Sequence, residues 1–207
     1  MTEVLSRSER KRGAIMAAAG DLFLAHGYQG TSVDQIAASA AVSKQTVYKH
    51  FGEKQELLLA IVRETVDNVV EPFLERVAGL VDTTEVETDL LRLAEEYLRS
   101  VMQESVVQLR RLVVGEANGS PGLAEEYYDH APSRVLDGFA TLFDAWGRRG
   151  ILRVAHPDLA AEHFAFLVVG RCLDQALFCG GQAVLARVDI ERHVGEAVRV
   201  FLGAYRD

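Results

Sequence analysis

The sequence predicts an all-α fold of about nine or ten helices, and three observations carry that expectation. Apolar residues recur every three or four positions along nearly the whole chain, the spacing of one helical face, and no segment sustains the two-residue alternation of a half-buried strand. Glycines, capping hydroxyls and a few prolines punctuate those stretches where helices start and stop. No repeat of solenoid length is present, and 49% of the residues are apolar, so the helices pack around an ordinary core.

Residues 9–26 place Ile15, Ala18, Ala19, Leu22 and Phe23 on one stripe and stop at Gly27. Thr31-Ser32-Val33-Asp34 reads as a capping box with Thr31 at the N-cap, opening a second helix that runs through Ile36 to about Ser39. Ala40 and Ala41 lead into a turn, and Ser43 caps a third helix that ends near Phe51-Gly52. A long fourth helix starts at about Lys54 and carries Leu57, Leu58, Ile61, Val62, Val66 and Val69. Pro72 is expected to bend or divide it, with residues 77–84 as its fraying end or a connector. Helices over 88–102 and 106–116 come next, then the strong loop signal Asn118-Gly119-Ser120-Pro121-Gly122. A short helix over 123–130, longer ones over 133–147 and 158–178, a break at Gly180-Gly181 and a last helix over 189–205 complete the chain. A soft boundary falls within the fourth helix, dividing residues 1–54 from 55–207.

The net charge of −8 is unevenly distributed: residues 1–54 hold seven Lys/Arg against five Asp/Glu, whereas the remainder holds 15 against 25. A mildly basic head on an acidic body suits a local polyanion-facing surface. Apolar runs such as 57–62 and 164–170 fall short of the ~20 residues that a membrane span needs, and the polar N-terminus lacks signal-peptide character, so a cytoplasmic location is expected. Cys172 and Cys179 lie seven apart in a helical pattern, about 10 Å along the axis, too far for a disulfide, and are expected to be buried structural thiols. The six histidines show no metal-ligand spacing; no metal and no cofactor are expected. No G-x-S-x-G, P-loop or dinucleotide fingerprint is present and no catalytic triad can be nominated, which argues against an enzyme.

The chemistry concentrates in residues 31–54. Two helices crossing at close range need small contacts and a few pegs: Ala37, Ala40 and Ala41 supply the first, Ile36, Val42, Val47 and Phe51 the second. Val47 and Phe51 share the buried face, leaving Lys44, Gln45, Thr46, Tyr48, Lys49 and His50 directed outward. That is a helix-turn-helix whose second helix offers cations and an amide to base edges and hydroxyls to phosphates.

These residues resemble the TetR family of bacterial transcriptional regulators. The likeness rests on residues 14–19 (AIMAAA) with Leu22-Phe23 and Gly27-Tyr28, on residues 31–37 (TSVDQIA), and on residues 42–51 (VSKQTVYKHF) with Lys54 and Leu57. It implies an N-terminal three-helix bundle with the helix-turn-helix, followed by a helical ligand-binding and dimerisation domain. It also implies a homodimer on a pseudo-palindromic operator in double-stranded DNA, a repressor released by a small-molecule effector. DNA contacts are then expected from Thr31, Ser43, Lys44, Gln45, Thr46, Tyr48, Lys49, His50 and, on phosphate, Lys54. The helices over 133–147 and 158–178, each apolar over more than one face, resemble the pair that forms a four-helix bundle across the family's dimer. An effector pocket among the middle helices would draw on Tyr97, Val101, Met102, Leu109, Leu112, Val113, Tyr127, Phe139, Phe143 and Trp146. Such a lining favours a lipophilic or aromatic effector, or an anion where Arg110 or Arg111 turns inward. Two other readings compete: a ligand-independent architectural DNA binder, which the acidic body disfavours, and an enzyme with a DNA-binding-like N-terminus.

Overall fold

The computed structural model describes residues 6–206, apart from the side chain of Pro121. Helix α1 (Arg7–His26) opens with a reciprocal cap: the Ser6 N–H donates to the Glu9 carboxylate at 2.7 Å and the Glu9 N–H to the Ser6 hydroxyl at 3.1 Å. It buries Ile15, Ala19 and Phe23 against α2 (Val33–Ser39) and α4 (Lys54–Gly79). The capping box of α2 sits one residue later than its sequence suggests, on Ser32 and Gln35 rather than Thr31 and Asp34. Ser32 and Gln35 exchange bonds of 2.7 and 3.2 Å, while Thr31 turns inward and donates its hydroxyl to the carbonyls of Gly27 and Leu22. Helix α3 (Lys44–Phe51) starts at Ser43, whose hydroxyl accepts from the Thr46 N–H.

Helix α4 continues unbroken through Pro72, contrary to the expected division. An interior proline costs about 3 kcal/mol, but Val66, Val70, Phe73 and Val77 are all buried on either side of it and keep the helix docked. Then follow α5 (Val86–Val101), α6 (Glu104–Glu116) and α7 (Pro121–Tyr128). A π-helical turn, Asp129–Ser133, joins α7 directly to α8 (Arg134–Arg148). Helices α9 (Pro157–Cys179), α10 (Gly181–Leu185) and α11 (Ile190–Tyr205) complete an all-helical protein with no strand among the described residues. Counting α7, the π turn and α8 as one continuous segment, the described residues form ten helical segments.

The single-turn α10 was not anticipated. Gly180, at φ 91°, ends α9 where the break was expected, and the Glu104 carboxylate then accepts from the Gly181 N–H at 3.1 Å. A Cβ on Gly181 would stand 2.0 Å from the Met102 carbonyl oxygen, so only glycine lets this turn seat against the end of α5. Both cysteines are free; Cys172 is buried as expected, but Cys179 is exposed, because α9 ends there with its last turn facing out.

One apolar core runs from the head into the body. Its centre is aromatic. Phe139 meets Phe164 edge-on at 5.1 Å and Tyr97 at 5.2 Å, Phe143 lies 4.8 Å from Phe201, and Trp146 sits 5.9 Å from Phe143. Such pairs each add about 0.5–1.5 kcal/mol beyond area burial, which locks α5, α8, α9 and α11 together. No helix of the described residues is long and apolar enough to cross a membrane.

Candidate nucleic-acid interface and internal cavity

The turn between α2 and α3 closes as a Schellman motif: the Ala41 N–H donates to Ala38 at 3.2 Å and the Val42 N–H to Ala37 at 3.0 Å. Ala41 occupies the left-handed position with φ 52°, where glycine is usual. Behind the turn, Ile36, Ala37, Val47 and Phe51 are buried, so α3 is pinned by its inner face. Its outer face presents Lys44, Gln45, Tyr48 and Lys49 to solvent, with Tyr48 44% exposed, while Thr46 and His50 are half-exposed at its edges. Lys44 donates to Asp34 across the turn at 2.8 Å, and that carboxylate holds the ammonium above its ordinary range. The Ser43 and Thr46 hydroxyls lie 2.8 Å apart at the mouth of α3.

Two residues expected at the DNA make bonds within the protein. Thr31 is 2% exposed, its hydroxyl bonded to the end of α1. The Lys54 ammonium donates to the carbonyls of Tyr28 and Thr31 at 2.8 and 2.9 Å and sits 4.0 Å from the Tyr28 ring centroid. Both tie α1, α2 and α4 into one unit. Burial of Thr31, and the Tyr28 and Thr31 carbonyls that lie beyond the end of α1, account for this; the sequence showed the residue types but not their orientation.

The body holds a cavity of about 380 Å³ bounded by α4, α5, α6, α7, the π turn, the first turn of α8 and α9. Of the ten expected lining residues, Tyr97, Val101, Val113 and Tyr127 are on its wall. The other six are not. Leu109 and Leu112 lie one position round α6 from the facing stripe Val106, Arg110, Val113 and Ala117. Met102 is fully buried at the end of α5 under α10. Phe139 and Phe143 are consumed by the aromatic cluster, and Trp146 donates its indole N–H to the Leu80 carbonyl at 3.0 Å. Only the first turn of α8, through Val135 and Leu136, reaches the cavity. Residues passed over include Val69, Val70 and Phe73 on α4, whose helical stripe was legible but not its depth, and Ala131 and Pro132 in the π turn. Arg110 lines the cavity and its Nε–H donates to the Tyr127 hydroxyl at 3.2 Å. Arg111 turns away to the carbonyls of Ala176 and Leu177, both at 2.9 Å. Burial pushes the Tyr97 phenol up to about 12, with the Arg110 cation opposing and Tyr127 adding to the shift.

Helices α4 and α6 serve both regions. Helix α4 begins at the Lys54 clamp and later lines the cavity; α6 lines the cavity and packs on α1. Burial, then the Glu116 carboxylate at the end of α6, raise the Tyr28 phenol pKa, so this pole of α6 is electrostatically joined to the head.

A model of the tetR family of bacterial regulatory proteins matches residues 15–61, and a model of the AefR-like transcriptional repressor C-terminal domain matches residues 88–207, more than half of the chain. The chain belongs to the TetR family. The transcriptional activator FasR of Mycolicibacterium smegmatis is 46% identical to this TetR-family chain over 66 residues, which span 32% of this chain and 30% of FasR. A TetR-family transcriptional regulator from Mesorhizobium loti MAFF303099 superposes with a TM-score of 0.85 at 32% identity, covering 98% of this chain and 100% of that one. The flavonoid-responsive regulator FrrA superposes at 0.76 with 26% identity, over 96% and 98% of the two chains. The protein is thus a transcriptional regulator of TetR type.

Proposed function

We propose that this protein is a cytoplasmic, ligand-responsive repressor that binds a pseudo-palindromic operator as a homodimer and leaves it when an effector fills the body cavity. The observation that carries this reading is the pair of helices shared by head and cavity. Ser43, Lys44, Gln45, Thr46, Tyr48, Lys49 and His50 form the DNA-facing set, with Lys44 and Gln45 reading base edges and Tyr48 gripping backbone. Thr31 and Lys54 hold that set in place. Residues 1–54 act as the head and 55–207 as sensor and dimer module, with α4 common to both. In the dimer, two copies of α3 enter successive major grooves about 34 Å apart. An effector wedged among α4, α5 and α6 favours a different head spacing, and coupling of about 1–3 kcal/mol suffices to shift occupancy.

The description of the C-terminal family as repressors supports the direction, and FrrA, a regulator responsive to a small molecule, supports the effector. FasR matches over less than a third of the chain and bears on the head alone. A cavity with apolar walls and an acidic body both favour a sensor over an architectural DNA binder.

The test begins with selection of bound sequences from random DNA. The selected palindrome should then be footprinted by the native chain but not by Tyr48→Ala or Lys44→Ala proteins of unchanged dimer mass and helix content. Footprints retained by both variants would overturn the reading.

A further inference from the structure

Arg110 is the one charged side chain on the described wall of the cavity; the rest of the lining is aliphatic or aromatic apart from Ser100 and the three phenols Tyr97, Tyr127 and Tyr128. No acidic side chain pairs with Arg110 among the described residues, and its one hydrogen bond within the protein uses the Nε–H. Its neighbour Arg111 is, by contrast, engaged through two nitrogens on main-chain carbonyls. The guanidinium also lies 5.7 Å from the Tyr127 ring centroid, but a half-buried cation facing an apolar chamber is better satisfied when an anion joins it.

The hydrogen-bonding character of the wall has the same sign. Tyr97 is nine-tenths buried, and its hydroxyl finds no hydrogen-bond partner among the described residues. Tyr97 lines the cavity, and its neutral phenol has a proton to donate. The Tyr127 hydroxyl accepts from Arg110 and therefore keeps its own proton to give. The guanidinium has donors left over beyond Nε. Donors without a carboxylate among them suit a group that only accepts. The mouth of the chamber is framed by the exposed apolar side chains Val114 and Tyr128, so a ligand's apolar body meets apolar surface along its way in.

We propose that the effector is a lipophilic carboxylate, its apolar body filling the chamber and its carboxylate held by Arg110 between the hydroxyls of Tyr97 and Tyr127. This rests on the reading of the cavity as the effector site.

The test is calorimetric titration of the full chain with decanoate, 1-decanol and decylamine, which share a body and differ in head group. Native protein should bind decanoate about tenfold or more tighter than 1-decanol, the scale of one charge-assisted hydrogen-bonded pair, with decylamine weakest. Arg110→Met should bring decanoate to or below the affinity of 1-decanol, while Arg110→Lys should restore part of the preference. Equal binding of decanoate and 1-decanol by the native chain, or a decanoate affinity indifferent to Arg110→Met, overturns the proposal. The native series decides even where a variant fails to fold. Val69→Phe, which narrows the chamber, separates the two readings. If 1-decanol binding is lost in Val69→Phe yet the head group is immaterial, the cavity remains an effector site and only the carboxylate is wrong. If none of the three compounds binds, or all bind Val69→Phe as before, both readings fall.

Discussion

Lys54 carries a bond inside the protein besides the phosphate contact expected of it. A lysine at the start of the helix after a recognition helix invites assignment to phosphate, yet its ammonium is occupied by the Tyr28 and Thr31 carbonyls and the Tyr28 ring. These carbonyls follow the end of α1, where no helical N–H remains to meet them. Lys54→Met should therefore lower the unfolding free energy by about 1–3 kcal/mol, the range for a hydrogen-bonded charge, and weaken DNA binding as a consequence. A lysine that served phosphate alone would weaken DNA binding with no change in the denaturation midpoint, so chemical unfolding of the variant separates the two roles. Thr31 belongs with it: the hydroxyl at 2.8 Å from the Gly27 carbonyl binds the same corner from the other side. Neither orientation was legible, because a capping box at Thr31 and one at Ser32 differ by one residue, and only the burial of Thr31 and the amide of Gln35 decide between them.

Among the elements, α3 was the most legible and the cavity wall the least. Helix α3 is specified locally, by the Ser43 cap, by Val47 and Phe51 one turn apart on the inner face, and by Gly52 at its end. The wall depends on which of two adjacent stripes of α6 turns toward empty space, a difference of about 100° that apolar patterning cannot resolve when both stripes are apolar. Phe139, Phe143 and Trp146 failed as lining for a related reason: Phe139 and Phe143 pack on rings of α5, α9 and α11, and the Trp146 indole is bonded to Leu80, all partners distant in sequence. At the turn itself, Ala41 adopts a left-handed conformation that costs an L-residue about 1–2 kcal/mol. Glycine relieves that strain but returns about 0.4–1 kcal/mol through the freedom of the unfolded chain. The strain wins narrowly. Ala41→Gly should stabilise the protein by about 0.5 kcal/mol, seen as a higher urea midpoint at unchanged slope.

Over the whole molecule, the apolar residues of α8 and α9 divide unequally. The sequence suggested that both helices have apolar surface to spare, but α8 turns its large residues into the protomer's own core, whereas α9 leaves Leu159, Phe166, Leu167 and Phe178 exposed, the last at 81%. An association of two copies would draw chiefly on this α9 stripe. Leu159→Asp combined with Phe178→Asp should halve the mass in sedimentation while leaving helix content intact; an unchanged mass would place the interface elsewhere. The aromatic centre that withdraws α8 from the surface has another consequence. Trp146 is the sole tryptophan of the chain, wholly buried, and its indole N–H is bonded to Leu80 just beyond α4. The protein therefore carries a single tryptophan emitter, which excitation beyond the absorption of its six tyrosines isolates, and it reports on the body alone. Loosening of the head should leave its emission unshifted while ellipticity falls. Collapse of the body should move both signals together, so the two optical channels distinguish a protein that has lost its grip on DNA from one that has lost its fold.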